Sequence, residues 1–385
     1  MPKLSARIKS KLPKVGTTIF SKMSALAAKE KALNLSQGFP DFDCSPKLTE
    51  LVTKAMNSGM NQYAPMPGLL SLRETIAKKT EELYTGVYHP ETEITITAGA
   101  TQAIFTAILA TVSEDDEVII FTPAYDCYEP AIDLVGAKAI HIELQGPEYR
   151  IDWEQVKKVI NQQTKMIIIN TPHNPTGTIM TAQDMQKLEK LIQGSDILVL
   201  SDEVYEHIIF DGYDHQSVAR FPKLAERSFI ISSFGKTYHT TGWKIGYCLA
   251  PAELMKEFRK THQYNVFSVH TPTQQAYAEY IVSLNDHLEL KEFYQQKRNL
   301  FRNSIKDSRF QLGETAGSYF QLLDYSKISE ENDIKFAERL TKEHKIATIP
   351  TSVFYNKKVD RRVLRLCFAK KDETLLKAAE IINSI

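Results

Sequence analysis

Between about Glu93 and Cys248 the chain alternates short apolar runs with stretches of helical spacing, and residues able to do chemistry follow the runs. Glu93-Ile-Thr-Ile-Thr97 has the two-residue period of a strand, and Thr101 to Val112 reads as a helix. Glu117-Val-Ile-Ile-Phe121, Lys165-Met-Ile-Ile-Ile-Asn170, Ile197-Leu-Val-Leu-Ser201 and Phe229-Ile-Ile231 are aliphatic runs without a polar face. Strands buried on both sides read this way, and their alternation with helices predicts a mostly parallel sheet. Gly99 to Thr101, Tyr125, Asn174, Asp202 and Lys236 each follow one run. Ligands of open α/β sheets bind beyond the carboxyl ends of the strands. The pattern therefore predicts one site at one sheet edge, fed by five loops.

After about His270 the pattern changes. Residues 273–304 read as long helices, followed by short apolar runs near Ser318–Leu323, Ala347–Ile349 and Val363–Phe368 and a last helix. The fold class expected is α/β, with a large domain over 46–275 and a smaller α+β domain over 276–385. Residues 1–45 are expected to form an N-terminal arm and part of the small domain. That domain must fold back if Arg365 is to reach the cleft.

Composition excludes several classes. The 385 residues carry 47 basic and 47 acidic side chains, so no nucleic-acid footprint is expected. The longest apolar stretches, such as Ile104 to Val112, are too short to cross a membrane. Cys44, Cys127, Cys248 and Cys367 form no CxxC pair and have no metal spacing, which fits a reducing compartment. No metal is expected, and His173 and His207 are read as structural. Up to Lys29 the chain has basic residues and no acid, but it lacks the apolar stretch of a secretory signal. The expectation is a folded arm and a cytoplasmic protein.

Lys236 lies in Ser232-Ser-Phe-Gly-Lys-Thr237, and Lys244 in Thr241-Gly-Trp-Lys-Ile-Gly246. A lysine on a small-residue turn after a buried strand is well placed to form an imine with a carbonyl cofactor. Gly235-Lys236-Thr237 also mimics the tail of a phosphate-binding loop, but Ile230 stands where that loop needs a glycine. Each remaining candidate has a bland alternative. Asp202 could cap a helix, Asn174 could serve the turn Asn-Pro-Thr-Gly, and Tyr125 and Tyr205 could be core aromatics. Gly99-Ala-Thr101 could simply open a helix, and Arg365 could form a surface ion pair. Convergence favours the site.

From Leu35-Ser-Gln-Gly-Phe-Pro-Asp-Phe42 to Arg365-Leu-Cys-Phe-Ala369 the chain resembles the fold-type I, pyridoxal-phosphate (PLP)-dependent aminotransferases of class I/II. Asn61-Gln-Tyr-Ala-Pro65, Asp126-Cys-Tyr-Glu-Pro130 and Gly235-Lys-Thr-Tyr238 resemble the branch with bacterial methionine aminotransferases and kynurenine aminotransferase/glutamine transaminase K. The resemblance implies a catalytic Lys236 that carries the cofactor and shuttles protons. It implies Asp202 on the pyridine nitrogen, and Asn174 and Tyr205 on the ring oxygen. Gly99, Ala100, Thr101, Ser233 and Lys244 would hold the phosphate, and Tyr125 would stack on the ring. Lys244 stands where many relatives carry arginine; the kynurenine branch has lysine. Arg365 and the Gly38 N–H would bind the substrate carboxylate, with Asn174 beside them. Tyr63 (phosphate) and Phe267 (substrate pocket) would reach the neighbouring subunit of a homodimer.

The implied reaction is transfer of an amino group from methionine or an aromatic amino acid to a 2-oxo acid. The alternatives are a kynurenine or glutamine–phenylpyruvate transaminase, a cysteine-conjugate β-lyase, and a non-catalytic PLP-binding regulatory module. The last usually carries a basic helix-turn-helix segment, and none precedes Leu35.

Overall fold

A computed structural model describes residues 8–283 and 286–385. Residues 1–7 of the expected arm, and 284–285 within the expected helical stretch, lie outside the described residues. The central sheet has seven strands: β1 Ile94–Thr97, β2 Glu117–Thr122, β3 Lys138–Glu143, β4 Thr164–Asn170, β5 Leu198–Asp202, β6 Ser228–Ser233 and β7 Gly246–Leu249. Their spatial order is β1-β7-β6-β5-β4-β2-β3. All neighbours are parallel except β7, which runs against both β1 and β6.

The apolar runs form strands because both faces are covered. Val118, Ile120, Met166, Ile168, Phe229 and Ile231 join one core. Their alternate neighbours Ile119, Phe121, Ile167, Ile169 and Ile230 join a second core on the other face. Helix α1 (Ala100–Thr111) packs on β6 and β7. A helix over Thr271–Ser283 packs on helices over Pro46–Asn57 and Leu70–Tyr84.

The antiparallel strand was not singled out in the sequence, and it matters. Gly246, at the start of β7, pairs with both Thr97 and Ser233, which end β1 and β6. The reversed direction thus brings Lys244, just before β7, to the edge where the parallel strands finish. A Cβ on Gly246 would come within 2.7 Å of the Ser232 carbonyl oxygen and 2.9 Å of the Ala100 nitrogen, so this crossing requires glycine. Beyond β2 the chain passes to β3, and beyond β4 it passes to β5 on the opposite side. That divergence opens a crevice at the carboxyl ends.

A second, antiparallel sheet comprises Ile349–Pro350, Val363–Cys367, Phe320–Asp324 and Gln311–Leu312. Arg365 sits within it, paired with Leu322 and Ile349. Leu33–Asn34 pairs in parallel with Ile346–Ala347, and the Leu35 carbonyl accepts from the Cys367 N–H. The segment before Phe42 is thereby tied to the strand that carries Arg365.

Beneath the site lies a buried ionic cluster. Lys79 donates to Glu206 at 2.8 Å and to the Tyr247 hydroxyl at 2.8 Å. Glu206 also accepts from Tyr84 and Ser232. Burial alone would raise the Glu206 carboxyl; the Lys79 cation and these hydrogen bonds outweigh it and hold it well below the usual range. His207 is in the same cluster, and burial keeps it neutral. Removing one member of such a pair leaves a buried charge uncompensated. Lys79→Met should lower the unfolding free energy by about 3–5 kcal/mol in urea titration. A loss below about 1 kcal/mol would mean that water or another cation replaces it.

Candidate active site

A cavity of about 360 Å³ opens at the carboxyl edge of the large sheet. Of the sequence-derived candidates, Gly38, Gly99, Ala100, Thr101, Tyr125, Asn174, Asp202, Tyr205, Ser233, Lys236, Lys244 and Arg365 all line it. Its charged residues are three cations, Lys236, Lys244 and Arg365, and one carboxylate, Asp202.

Asp202 does not follow its strand, as expected, but ends it; its carboxylate is therefore fixed by the sheet. It accepts from the Tyr128 hydroxyl at 2.6 Å and from the Val204 N–H at 3.4 Å. Burial pushes its carboxyl up to about 6, partly opposed by those two bonds. Lys236 lies in a one-turn helix, Phe234–Thr237, with Ser233 at the N-cap position and its side chain making no cap hydrogen bond. Its ammonium donates to the Gly38 carbonyl at 3.1 Å and to the Tyr319 hydroxyl at 3.0 Å. Burial, with help from Arg365 and Lys244, brings its pKa down to about 8.

Gly99 caps α1 with φ +78° and no side-chain hydrogen bond, so first-turn N–H groups are left for another acceptor. Lys244 lies across it: a Cβ on Gly99 would sit 3.4 Å from the Lys244 Cε and Nζ atoms. Arg365 is fully buried. It donates to Asn174 Oδ1 at 2.8 Å and to the Ser36 carbonyl at 3.2 Å, while its Nε has no partner. The Phe320 ring lies 4.0 Å from its guanidinium carbon, with Phe20 and Phe354 farther off. A cation–π contact of this kind contributes roughly 2 kcal/mol when desolvated. It does not replace a carboxylate, and among the described residues Arg365 forms no ion pair.

Tyr63 and Phe267 are not brought to the cavity. Tyr63 is 81% exposed and Phe267 41% exposed, and their rings pack edge-on at 5.2 Å. His173, with its ring nitrogen on Thr176, is held neutral by burial, down to about 3. Among the described residues no group of His, Cys, Asp or Glu is arranged for a metal.

Several site residues escaped the sequence reading. Asn170 lines the cavity and receives the Asn174 N–H on its side-chain oxygen at 2.8 Å. Tyr128 lies inside the motif Asp126-Cys-Tyr-Glu-Pro130, but nothing local links it to Asp202 across 74 positions. Phe20, Gln37 and Phe320 complete the walls.

The chain belongs to the aminotransferases of class I and II, whose family model matches residues 30–382. It is 49% identical over 377 residues to the methionine aminotransferase of Escherichia coli (strain K12), covering 98% of each chain. A solved Escherichia coli structure with an identified methionine aminotransferase function superimposes with a TM-score of 0.96 at 48% identity, covering 99% of this chain and 100% of the other. The human kynurenine–oxoglutarate transaminase 3 is 33% identical over 405 residues, covering 96% of this chain and 88% of the relative. The fold is that of the fold-type I enzymes, and the cofactor is pyridoxal phosphate.

The cavity fits that cofactor. Its excess cations match a phosphate and a carboxylate, the uncapped helix start offers N–H groups, and the Arg365 Nε–H is unsatisfied. Because the folded pKa of Asp202 lies above its unfolded value, cofactor-free protein gains stability from its protonation at low pH. That gain is lost as pH rises through about 6. Cofactor-free Asp202→Asn should therefore gain on wild type between about pH 4 and 8 by roughly 2–3 kcal/mol. Parallel denaturation curves that keep a constant difference across that range would refute the assignment.

Proposed function

We propose that this aminotransferase takes its amino group from methionine, and also from aromatic amino acids, and passes it to a 2-oxo acid through Lys236. The observation that carries the reading is the charge of the cavity, three cations against one carboxylate, with apolar walls around Arg365. The likeness to the Escherichia coli methionine aminotransferase supports the donor.

Each residue then has a physical task. Lys244, Ser233 and the first-turn N–H groups of Gly99, Ala100 and Thr101 hold the phosphate. Asp202, tied to the strand and to Tyr128, keeps the ring nitrogen protonated. Asn174 and Tyr205 donate to the ring oxygen, and Tyr125 covers a ring face. Bound there, pyridoxal phosphate supplies a carbonyl that takes the amino group and a ring that accepts the electron pair of the broken Cα–H bond. Arg365 and the Gly38 N–H grip the α-carboxylate, which fixes the direction of the Cα–H bond. Asn174 braces Arg365 at 2.8 Å. Lys236, with its pKa down to about 8, is partly neutral near neutral pH and can accept a proton from Cα.

Among the cations that line the cavity in the described residues of one chain, Arg365 alone is left for the substrate, which supports a donor without a second carboxylate. Phe20, Phe39, Ile104 and Phe320 suit a thioether or an aromatic ring instead. Tyr63 and Phe267, exposed in the single chain, complete the pocket of a partner copy, so the active unit is a homodimer. No helix of the described residues is long and apolar enough to cross a membrane. The four free cysteines support a cytoplasmic enzyme. The proposed domain division keeps a large domain over 46–275, a small one over 276–385 and an N-terminal arm over 1–45 that contributes to the small one.

Methionine added without an acceptor should bleach the visible absorbance of the loaded enzyme, and a 2-oxo acid should restore it. Methionine and phenylalanine should exceed aspartate in kcat/KM by about tenfold or more. Aspartate preference would overturn the donor, and pyruvate release from cysteine conjugates without an acceptor would favour a lyase. Arg365→Ala should lower kcat/KM by roughly 100-fold or more, since it removes the buried partner of a charged group. A loss below about fivefold would place the carboxylate elsewhere.

A further inference from the structure

We propose that Tyr319 is a positioning residue that docks the free amine of Lys236 and aims it at the substrate. This inference rests on Lys236 being the cofactor-bearing lysine.

Tyr319 stands just before the strand Phe320–Asp324, in the smaller sheet, 83 positions from Lys236. Its backbone is fixed from the far side, where its carbonyl accepts from the Phe368 N–H at 3.0 Å. Its ring is fully buried, edge-on to Tyr205 at 5.1 Å and tilted against Tyr294 at 5.7 Å. The ring has no room to swing, so its hydroxyl is a fixed point in the cavity wall.

The direction of the hydrogen bonds carries the argument. The Tyr319 hydroxyl donates its only proton to the Gly38 carbonyl. Toward Lys236, 3.0 Å away, it can therefore only accept. The Gly38 carbonyl, 3.1 Å from Nζ, is also only an acceptor. A neutral amine has two N–H bonds and one lone pair. Two oxygen acceptors commit both N–H bonds and leave the lone pair free for a proton. With the cofactor bound and its lysine displaced by a substrate amine, these two oxygens would hold Nζ. The Cα proton would pass to Nζ, making an ammonium, and the C–H electron pair would stay on the substrate side, where the bound cofactor would accept it. The same two acceptors stabilise the ammonium until it gives the proton up. The Gly38 carbonyl that accepts from Lys236 and from Tyr319 follows, one peptide on, the Gly38 N–H proposed for the substrate carboxylate, so the hydroxyl would link proton transfer to substrate placement through this residue.

The test is Tyr319→Phe, which keeps the ring and deletes the acceptor. In cofactor-free protein, trace acetylation of Lys236 is followed by mass spectrometry against pH. The other charged or titratable groups around Nζ are Asp202, Arg365, Lys244, Cys367 and Tyr205; all keep their identity, and only Tyr205 loses a hydrogen bond, the one it shares with the Tyr319 hydroxyl. Loss of an acceptor for the ammonium should move the labelling midpoint down by about one pH unit. In the loaded enzyme, kcat with methionine should fall about 10- to 100-fold with KM within about threefold, and the isotope effect from Cα-deuterated methionine should rise. An unchanged midpoint with a raised KM alone would overturn the proposal and leave Tyr319 as a brace for the Gly38 loop. A measurement on wild type gives the same decision without a variant. In a crystal structure with pyridoxamine phosphate bound, Lys236 Nζ should lie within hydrogen-bond distance of both oxygens, and a different resting place would contradict the inference. Cofactor attached to another lysine would instead defeat the underlying reading.

Discussion

The structure is organised around an uncompensated positive charge. Lys236, Lys244 and Arg365 line a cavity of about 360 Å³ with a single carboxylate. Buried cations are costly unless they are paired, and removing a partner from a buried pair costs about 3–5 kcal/mol. A folded chain keeps such an arrangement where a ligand brings the missing anions. A cofactor phosphate and a substrate carboxylate do so. Two anionic groups would balance the excess of cations, and a cationic partner would offset the burial that raises the Asp202 carboxyl.

The backbone explains how the charges are assembled from distant positions. Strands β1 and β6 end opposite the first residue of the reversed β7, so Lys244 and Lys236 approach from opposite chain directions. The second sheet contributes Arg365 and Tyr319, and the N-terminal segment contributes Gly38 through its pairing with that sheet. The proposed carboxylate contacts, Arg365 and Gly38, therefore belong with the second sheet, and the proposed phosphate contacts with the large one. Relative movement of the two sheets would alter the substrate site more than the phosphate site.

Much of this was legible in the sequence, for a local reason. Strands buried on both faces leave unbroken aliphatic runs, and the loops after them are where α/β proteins place chemistry. That logic pointed to Asn174, Asp202 and Lys236 as candidates at one sheet edge, and all three line the cavity. It could not find Tyr128 or Tyr319, because each acts through a contact made only when distant segments meet. Nor could it show that β7 is antiparallel, since an apolar run has no direction. Arg365 and Gly38 came from family resemblance, and the structure adds the aromatic packing and the unsatisfied Nε that nothing nearby in sequence reveals.

The most direct measurement is reduction of the pyridoxal-phosphate-loaded protein with borohydride, followed by peptide mapping. The account predicts a pyridoxyl group on Lys236 and on no other lysine. Label on Lys244, or no stable label in folded protein, would contradict it.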